Sequence, residues 1–247
     1  YGLQVLDVSD PALPTELGSY DTPGQACGAS VSGEIAYVAD DHGGLRMVDV
    51  SDGASPAEVG SYNPLGRAAG VTVSEGVAYV ADRNVGLRAL DVSDPVRPTE
   101  LGVLNSSGDA VRVAVSGEIA YLAARAPGLH VIDVSEPTAP QLLGTYDPPV
   151  AVGAVYAEDD TAYVLEDTVG GLRVVDASDP YNVNELGYCF TGYGEDVQVS
   201  GGIAYVASYC FGLRLLDVTS ATNPTAVGQI QPCPHVWGVH ASGTTAY

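Results

Sequence analysis

Side chains able to do chemistry are few in this chain and unevenly spread. There are four Cys (Cys27, Cys189, Cys210, Cys233) and four His (His42, His130, His235, His240). No Cys-x-x-Cys pair occurs, so a zinc framework lacks its ligand spacing. A soft-metal set of Cys27, Cys233 and His235 has only donor type and spacing in its favour. No Gly-x-Ser-x-Gly elbow, His-Glu-x-x-His helix or phosphate-binding loop is present. Asp7, Asp49, Asp91, Asp133, Asp176 and Asp217 share one phase of a repeat, which invites metal or acid–base chemistry. A residue present in every copy serves every copy, however. Each of these Asp precedes a turn whose backbone it can bond, so the six are read as structural. Arg46, Arg88, Arg173 and Arg214 also share a phase and are expected to pair with nearby carboxylates.

Composition narrows the partners. The 247 residues carry 31 acidic and 9 basic side chains, all nine basic ones Arg, for a net charge of −22. Nucleic acids and anionic membranes need basic patches, so both are excluded as partners. Apolar residues make up 46%, as in a globular chain and unlike a disordered acidic tail. No apolar run approaches the roughly 18 residues of a membrane helix, so no membrane insertion is expected. The chain opens inside a strand-like pattern at Tyr1-Gly2-Leu3, without a signal peptide. That is expected of a piece processed or excised from something longer.

The elements that must position these residues repeat. Gly-Leu recurs at Gly2, Gly44, Gly86, Gly128, Gly171 and Gly212, and Ala-Tyr recurs every 42 residues from Ala36 to Ala246. Each copy reads as four short strands separated by Gly, Pro, Asp, Ser and Asn. No 3.6-residue period appears. Four strands per repeat of this length predict an all-β, six-bladed β-propeller of antiparallel blades, one domain over residues 1–247. The Gly-Val-x-Val-Ser and Ala-Tyr strands are its inner pair. The chain starts with an outer pair and ends with an inner pair, so strands from both termini are expected to pair and close the ring. Tyr37, Tyr79, Tyr121, Tyr163, Tyr205 and Tyr247 are expected to pack between blades.

Gly2-Leu3-Gln4-Val5-Leu6-Asp7-Val8-Ser9-Asp10-Pro11 and Gly44-Leu45-Arg46-Met47-Val48-Asp49-Val50-Ser51-Asp52 resemble the LVIVD repeat. The resemblance spans all six copies. It implies a propeller of mostly extracytoplasmic proteins, and no shared catalytic motif comes with it. The sixth copy departs most: Asp217-Val218-Thr219-Ser220-Ala221 loses the Asp-Pro turn.

On a repeat scaffold, function is expected where the copies differ. Loops entering each innermost strand carry Gln25, Arg67, Asp109, Ala151, Glu195 and His235. Loops after the Ala-Tyr strands fall on the same face. The two Phe, the single Trp and three of the four Cys all lie in about the last 60 residues. Tyr188-Cys189-Phe190 and Tyr209-Cys210-Phe211 are matching triplets flanking one blade, expected in loops close together. Tyr188, Phe190, Tyr193, Tyr209, Phe211, His235 and Trp237 are therefore the candidate binding residues. Four Cys allow three pairings. Loop proximity selects Cys189–Cys210, leaving Cys27–Cys233 to staple the closing blade, and disulfides imply an oxidising compartment.

The leading expectation is an extracytoplasmic, non-catalytic binding or scaffold module, taking a protein or small ligand on its loop face. A second reading is a metal-assisted hydrolase or lactonase with a channel site. Asp109, Glu195 and Asp196 would face calcium there, opposed by Arg67 and Arg112. No resident cofactor is assigned; the acidity leaves weak calcium binding as the one to consider. A third reading is a subunit of a cell-surface or filamentous assembly built by self-association.

Overall fold

A computed structural model of the chain describes residues 2–10, 13–63, 66–167, 170–209, 211–231, 238–242 and 245–246. It divides into two compact units, Tyr1–Ala110 with Glu136–Pro140, and Val111–Ser135 with Gln141–Tyr247. The described residues form strands and turns, with no helix.

The first unit opens with β1 (Leu3–Asp7) and β2 (Thr15–Tyr20), an antiparallel pair. Its first blade is β3 (Gly28–Ser32), β4 (Ile35–Ala39), β5 (Leu45–Asp49) and β6 (Ala57–Tyr62). Its second is β7 (Ala68–Ser74), β8 (Val77–Asp82), β9 (Gly86–Asp91) and β10 (Thr99–Asn105). The second unit holds three blades. These are β11 (Arg112–Ser116), β12 (Ile119–Ala123), β13 (Leu129–Asp133) and β14 (Gln141–Tyr146); β15 (Val152–Glu158), β16 (Thr161–Glu166), β17 (Gly170–Asp176) and β18 (Asn184–Gly192); and β19 (Gly194–Ser200), β20 (Ile203–Ser208), β21 (Gly212–Asp217) and β22 (Thr225–Ile230). It ends with the pair β23 (Ala241–Ser242) and β24 (Thr245–Ala246). Each four-stranded sheet runs in chain order, so every blade is an antiparallel meander. The two terminal pairs, expected to complete one blade together, are each a two-stranded sheet.

The repeat explains these elements locally. The Ala-Tyr strands β4, β8, β12, β16 and β20 are buried almost throughout, because small Ala and branched Val alternate on a strand covered on both faces. Tyr37, Tyr79, Tyr121, Tyr163 and Tyr205 are all buried there, the packing role expected of them; Tyr247 lies outside the described residues. Tyr163 shows the job: it sits in one apolar cluster with Val197, Val199 and Ala204 of the following blade. The tight turn Gly201–Gly202 has φ of +59° and +78°, matching a primed hairpin that needs the left-handed region twice.

The phase-locked Asp are turn formers. Asp7, Asp49, Asp91, Asp133, Asp176 and Asp217 each accept the amide of the residue two positions on, at 2.8–2.9 Å. In Asp49, Asp91, Asp133, Asp176 and Asp217 the neighbouring hydroxyl, then that amide, hold the carboxyl below its usual range. The turn so built meets the previous blade. A Cβ on Gly60 would lie 2.1 Å from the Pro95 carbonyl, on Gly144 2.1 Å from that of Pro180, and on Gly187 2.3 Å from that of Ala221. The Gly in each Leu-Gly-x-Tyr strand is therefore the seat of the next blade's turn.

Three of the shared-phase Arg make partly buried networks. Arg88 donates Nε to Asp82 and Nη1 to Glu100, both at 2.7 Å, and Tyr62 of the preceding blade donates to Glu100 at 2.7 Å. Burial, then Glu100, pushes the Tyr62 hydroxyl up to about 12. Arg173 repeats this with Glu166 at 2.9 Å, Glu185 at 2.6 Å and Tyr146 on Glu185 at 2.5 Å. Arg46 does so more loosely, 3.6 Å from Asp40 and 3.4 Å from Glu58.

Asp82 is 1% exposed and also accepts the amides of Arg67 and Asn84. Removing one partner of a buried pair leaves the other uncompensated, so Asp82→Ala is expected to cost about 3–5 kcal/mol. Urea unfolding checks this; a cost no larger than that of Asp91→Ala, a half-buried turn carboxylate without an Arg partner among the described residues, would contradict it.

Candidate functional site

The aromatic sector lies within the second unit. Its base is β18, which runs three residues past Cys189, the position where Tyr62 and Tyr146 end the corresponding strands β6 and β14. The Tyr188-Cys189-Phe190 triplet is thus strand, not the loop expected of it. Alternation on a strand sends Tyr188 and Phe190 to one face and Cys189 to the other. Tyr188 and Phe190 are 41% and 49% exposed, whereas Cys189 packs against the cluster of Leu165, Leu172 and Val197.

The extension leads at once into β19, and its carbonyls become anchors. Thr191 accepts from the Ser208 hydroxyl at 3.1 Å and from Arg214 Nη1 at 3.3 Å. Tyr193 accepts from the same hydroxyl at 2.7 Å and from the Tyr209 amide at 3.1 Å. Gly192, between them, has φ of +78°, and a Cβ there would lie 2.6 Å from the Phe211 ring. Phe211 therefore packs on bare backbone, with its carbonyl held by the Gln229 amide at 2.7 Å. Tyr193 and Phe211 are 42% and 39% exposed. Phe190 and Tyr193 thus flank in sequence the Gly192 on which the Phe211 ring packs, with Tyr188 on the same strand face as Phe190. Arg173 lies over the Tyr188 ring, 4.7 Å from its centroid.

The expected Cys189–Cys210 bridge is not formed: Cys189 is a free thiol on the side of β18 opposite Phe190. Cys27 Sγ donates to the Gln25 carbonyl at 3.2 Å. Cys210, Cys233, His235 and Trp237 lie outside the described residues, and with them the Cys27–Cys233 pairing.

Three of the five expected channel-mouth residues, Arg67, Asp109 and Arg112, bond side chains or carbonyls outside that set, Arg112 donating Nη1 to the Val111 carbonyl at 3.0 Å. Arg67 grips Asp41 at 2.9 and 3.1 Å, Arg83 meets Asp109 at 3.1 Å, and Arg125 pairs with Asp167. Burial pushes the Asp41 carboxyl up, but the Arg67 guanidinium outweighs it and holds the group below its usual range. Asp196 accepts the amides of Val197 at 3.0 Å and Val239 at 3.1 Å. Burial raises its pKa; burial, then Asp167, raises that of Glu195. Among the described residues no three His, Cys, Asp or Glu side chains group as a metal site would.

Two of the five four-stranded blades break the Arg network, in different ways. In the β11–β14 blade, Ala124, His130 and Leu142 stand where Asp82, Arg88 and Glu100 stand one repeat earlier. His130 is 1% exposed and both ring nitrogens lack hydrogen-bond partners. In the β19–β22 blade, Ser208 and Ala226 replace both carboxylates, but Arg214 stays. It pairs with no carboxylate among the described residues, and its buried Nε has no acceptor. The expectation of a carboxylate for each shared-phase Arg holds for three and fails for Arg214.

Blades of this construction define a repeat β-propeller. The chain belongs to the LVIVD repeat family, whose model matches residues 1–22, 23–64, 65–106, 107–148, 154–191 and 191–231. Six repeats make it an all-β, six-bladed propeller by family and fold class. Among curated proteins none matches this sequence. Among solved structures it resembles a functionally unknown protein from Desulfotomaculum acetoxidans DSM 771, at 12% identity and TM-score 0.72, over 90% of this chain and 77% of that one. It resembles the computationally designed Ika8 protein at 10% identity and TM-score 0.70, over 90% and 66% respectively. The RRP9 WD40 repeats match at 10% identity and TM-score 0.71, over 87% and 68%. The chain thus spans just under two thirds of the Ika8 protein's length. At these identities the likeness shows the fold alone.

Burial holds His130 below the ordinary histidine range. The unfolded chain takes up that proton near pH 6.5 and the folded chain does not, so this contribution to stability is full above about pH 6.5 and is lost as pH falls below it. Replacing the ring by His130→Leu is expected to flatten the fall in urea midpoint between pH 7.5 and 5.0. Equal falls in wild type and variant would contradict it.

Proposed function

We propose that this chain is a non-catalytic binding or scaffold module that meets a protein partner through Tyr188, Phe190, Tyr193 and Phe211. The observation that carries the reading is their exposure: four large aromatic side chains, each 39–49% open, gathered in one segment while the repeated Tyr are buried. Aromatic residues anchor interfaces because they bury much area at little entropic cost. Tyr209, His235 and Trp237 belong to the same face in this proposal. The paired loop carboxylates support a non-catalytic role, since Arg67, Arg83 and Arg125 already engage Asp41, Asp109 and Asp167. Work outside the cytoplasm, and action as one domain over all six repeats, are parts of the same proposal. The family resemblance and a Lys-free acidic surface support the location; Cys189, as a free thiol, lends it nothing.

Self-assembly is a second reading. Every residue of β22, the fourth strand of its blade, is exposed, with Val227 58% and Ile230 57% open. Unpaired strand edges are templates for another chain.

Capture from an extracytoplasmic fraction of the source organism separates these. Phe190→Ser with Phe211→Ser is expected to lower recovery of the partner at least tenfold, with unchanged thermal unfolding. Undiminished capture by this double variant would sink the aromatic-face reading, and its loss on Val227→Lys alone would favour self-assembly through β22.

A further inference from the structure

We infer that Arg214 is a carboxylate-binding site, and that its ligand is an acidic side chain of the protein partner lying beside an apolar residue. The inference rests on the aromatic-face reading above and adds the chemistry that face would select.

The blades themselves supply the argument. Arg46, Arg88 and Arg173 each touch one carboxylate from the second strand and one from the fourth. The fourth-strand carboxylate occupies a fixed register. Glu58 pairs with Val48, two residues past Arg46, and Glu185 with Val175, two past Arg173. Ala226 pairs with Leu216, two past Arg214, with the same bulge between. In this blade the Glu position is therefore an exposed Ala. The second-strand position is Ser208, whose hydroxyl is turned to the Thr191 and Tyr193 carbonyls. What remains for Arg214 is one carbonyl contact at 3.3 Å, longer than the 2.6–2.7 Å that Nη1 makes to Glu in two other blades.

The β11–β14 blade shows the consistent way to delete the network: the Arg goes as well, replaced by His130. Keeping Arg214 without either carboxylate leaves a half-buried cation uncompensated, which costs stability unless an anion completes it. An incoming carboxylate would take the place of the missing Glu, making charge-assisted bonds with a planar fork of donors. The aromatics stand next to it. Phe190 and Gly192 flank the Thr191 carbonyl that Arg214 touches, and Phe211 lies on Gly192. A ligand residue adjacent to the acid meets those rings.

Isothermal titration calorimetry with short peptides tests this on the intact chain. Acetyl-Glu-Phe-amide is expected to bind at least tenfold more tightly than acetyl-Gln-Phe-amide. Arg214→Gln is expected to erase that difference. Ala226→Glu, which restores the residue found in the other blades, is expected to abolish binding while holding or raising the thermal midpoint, so a lost signal is not lost folding. Equal binding of the Glu and Gln peptides, or undiminished binding by Ala226→Glu, overturns the inference and leaves the aromatic face standing. No binding of either peptide overturns it as well. Acetyl-Glu-Ala-amide binding as tightly as acetyl-Glu-Phe-amide supports the carboxylate site and removes the aromatic face instead.

Discussion

A polar group buried between blades costs stability unless it finds a partner inside the protein. The second strand of each four-stranded blade is covered on both faces, and in all of them but the β11–β14 blade a nearly inaccessible polar side chain sits at its end: Asp40, Asp82, Glu166 or Ser208. A buried carboxylate is tolerable only beside a cation with its remaining lone pairs bonded. The third strand supplies the Arg, the fourth strand a second carboxylate, and the preceding blade a Tyr hydroxyl. Four elements are tied by one guanidinium, and changing one position obliges the others to change.

That coupling also explains where the repeat is free to vary. The β11–β14 blade replaces the network almost wholesale with Ala124, His130 and Leu142, trading paired charge for apolar packing and a histidine held neutral by burial. The β19–β22 blade loses only the acids. Among the described residues, its Arg214 is left beside the stretch where large aromatic side chains gather in the open. A cation without a carboxylate and exposed rings together are the features on which the proposed recognition site rests.

Much of the fold was legible because the repeat states it: strand order, turn carboxylates and buried Tyr all follow from phase-locked residues. The seat that Gly60, Gly144 and Gly187 provide for the next turn was invisible, since a close approach of two backbones leaves only a Gly in the sequence. The candidate site was half legible. Clustering of Phe190 and Phe211 pointed to the segment where exposed aromatics gather, but the loop assignment failed at Tyr188–Phe190 because β18 outruns its counterparts. That error carried the Cys189–Cys210 pairing with it: on a strand, Cys189 turns inward as the aromatics turn out. The orphaned Arg214 could have been found by aligning the copies and noting Ser208 and Ala226 in place of acids. Reading all four Arg as equivalent hid it.

The most direct test of this account is the mobility of the arginine side chains, read from Nε–Hε signals by NMR with isotope-labelled arginine. Guanidinium groups clamped between two carboxylates rotate slowly and exchange their protons slowly. Arg88 and Arg173 are predicted to be locked, Arg46 somewhat less so, and Arg214 to rotate freely in the unliganded protein. An Arg214 as rigid as Arg88 would contradict the claim that one blade has been left open for a partner.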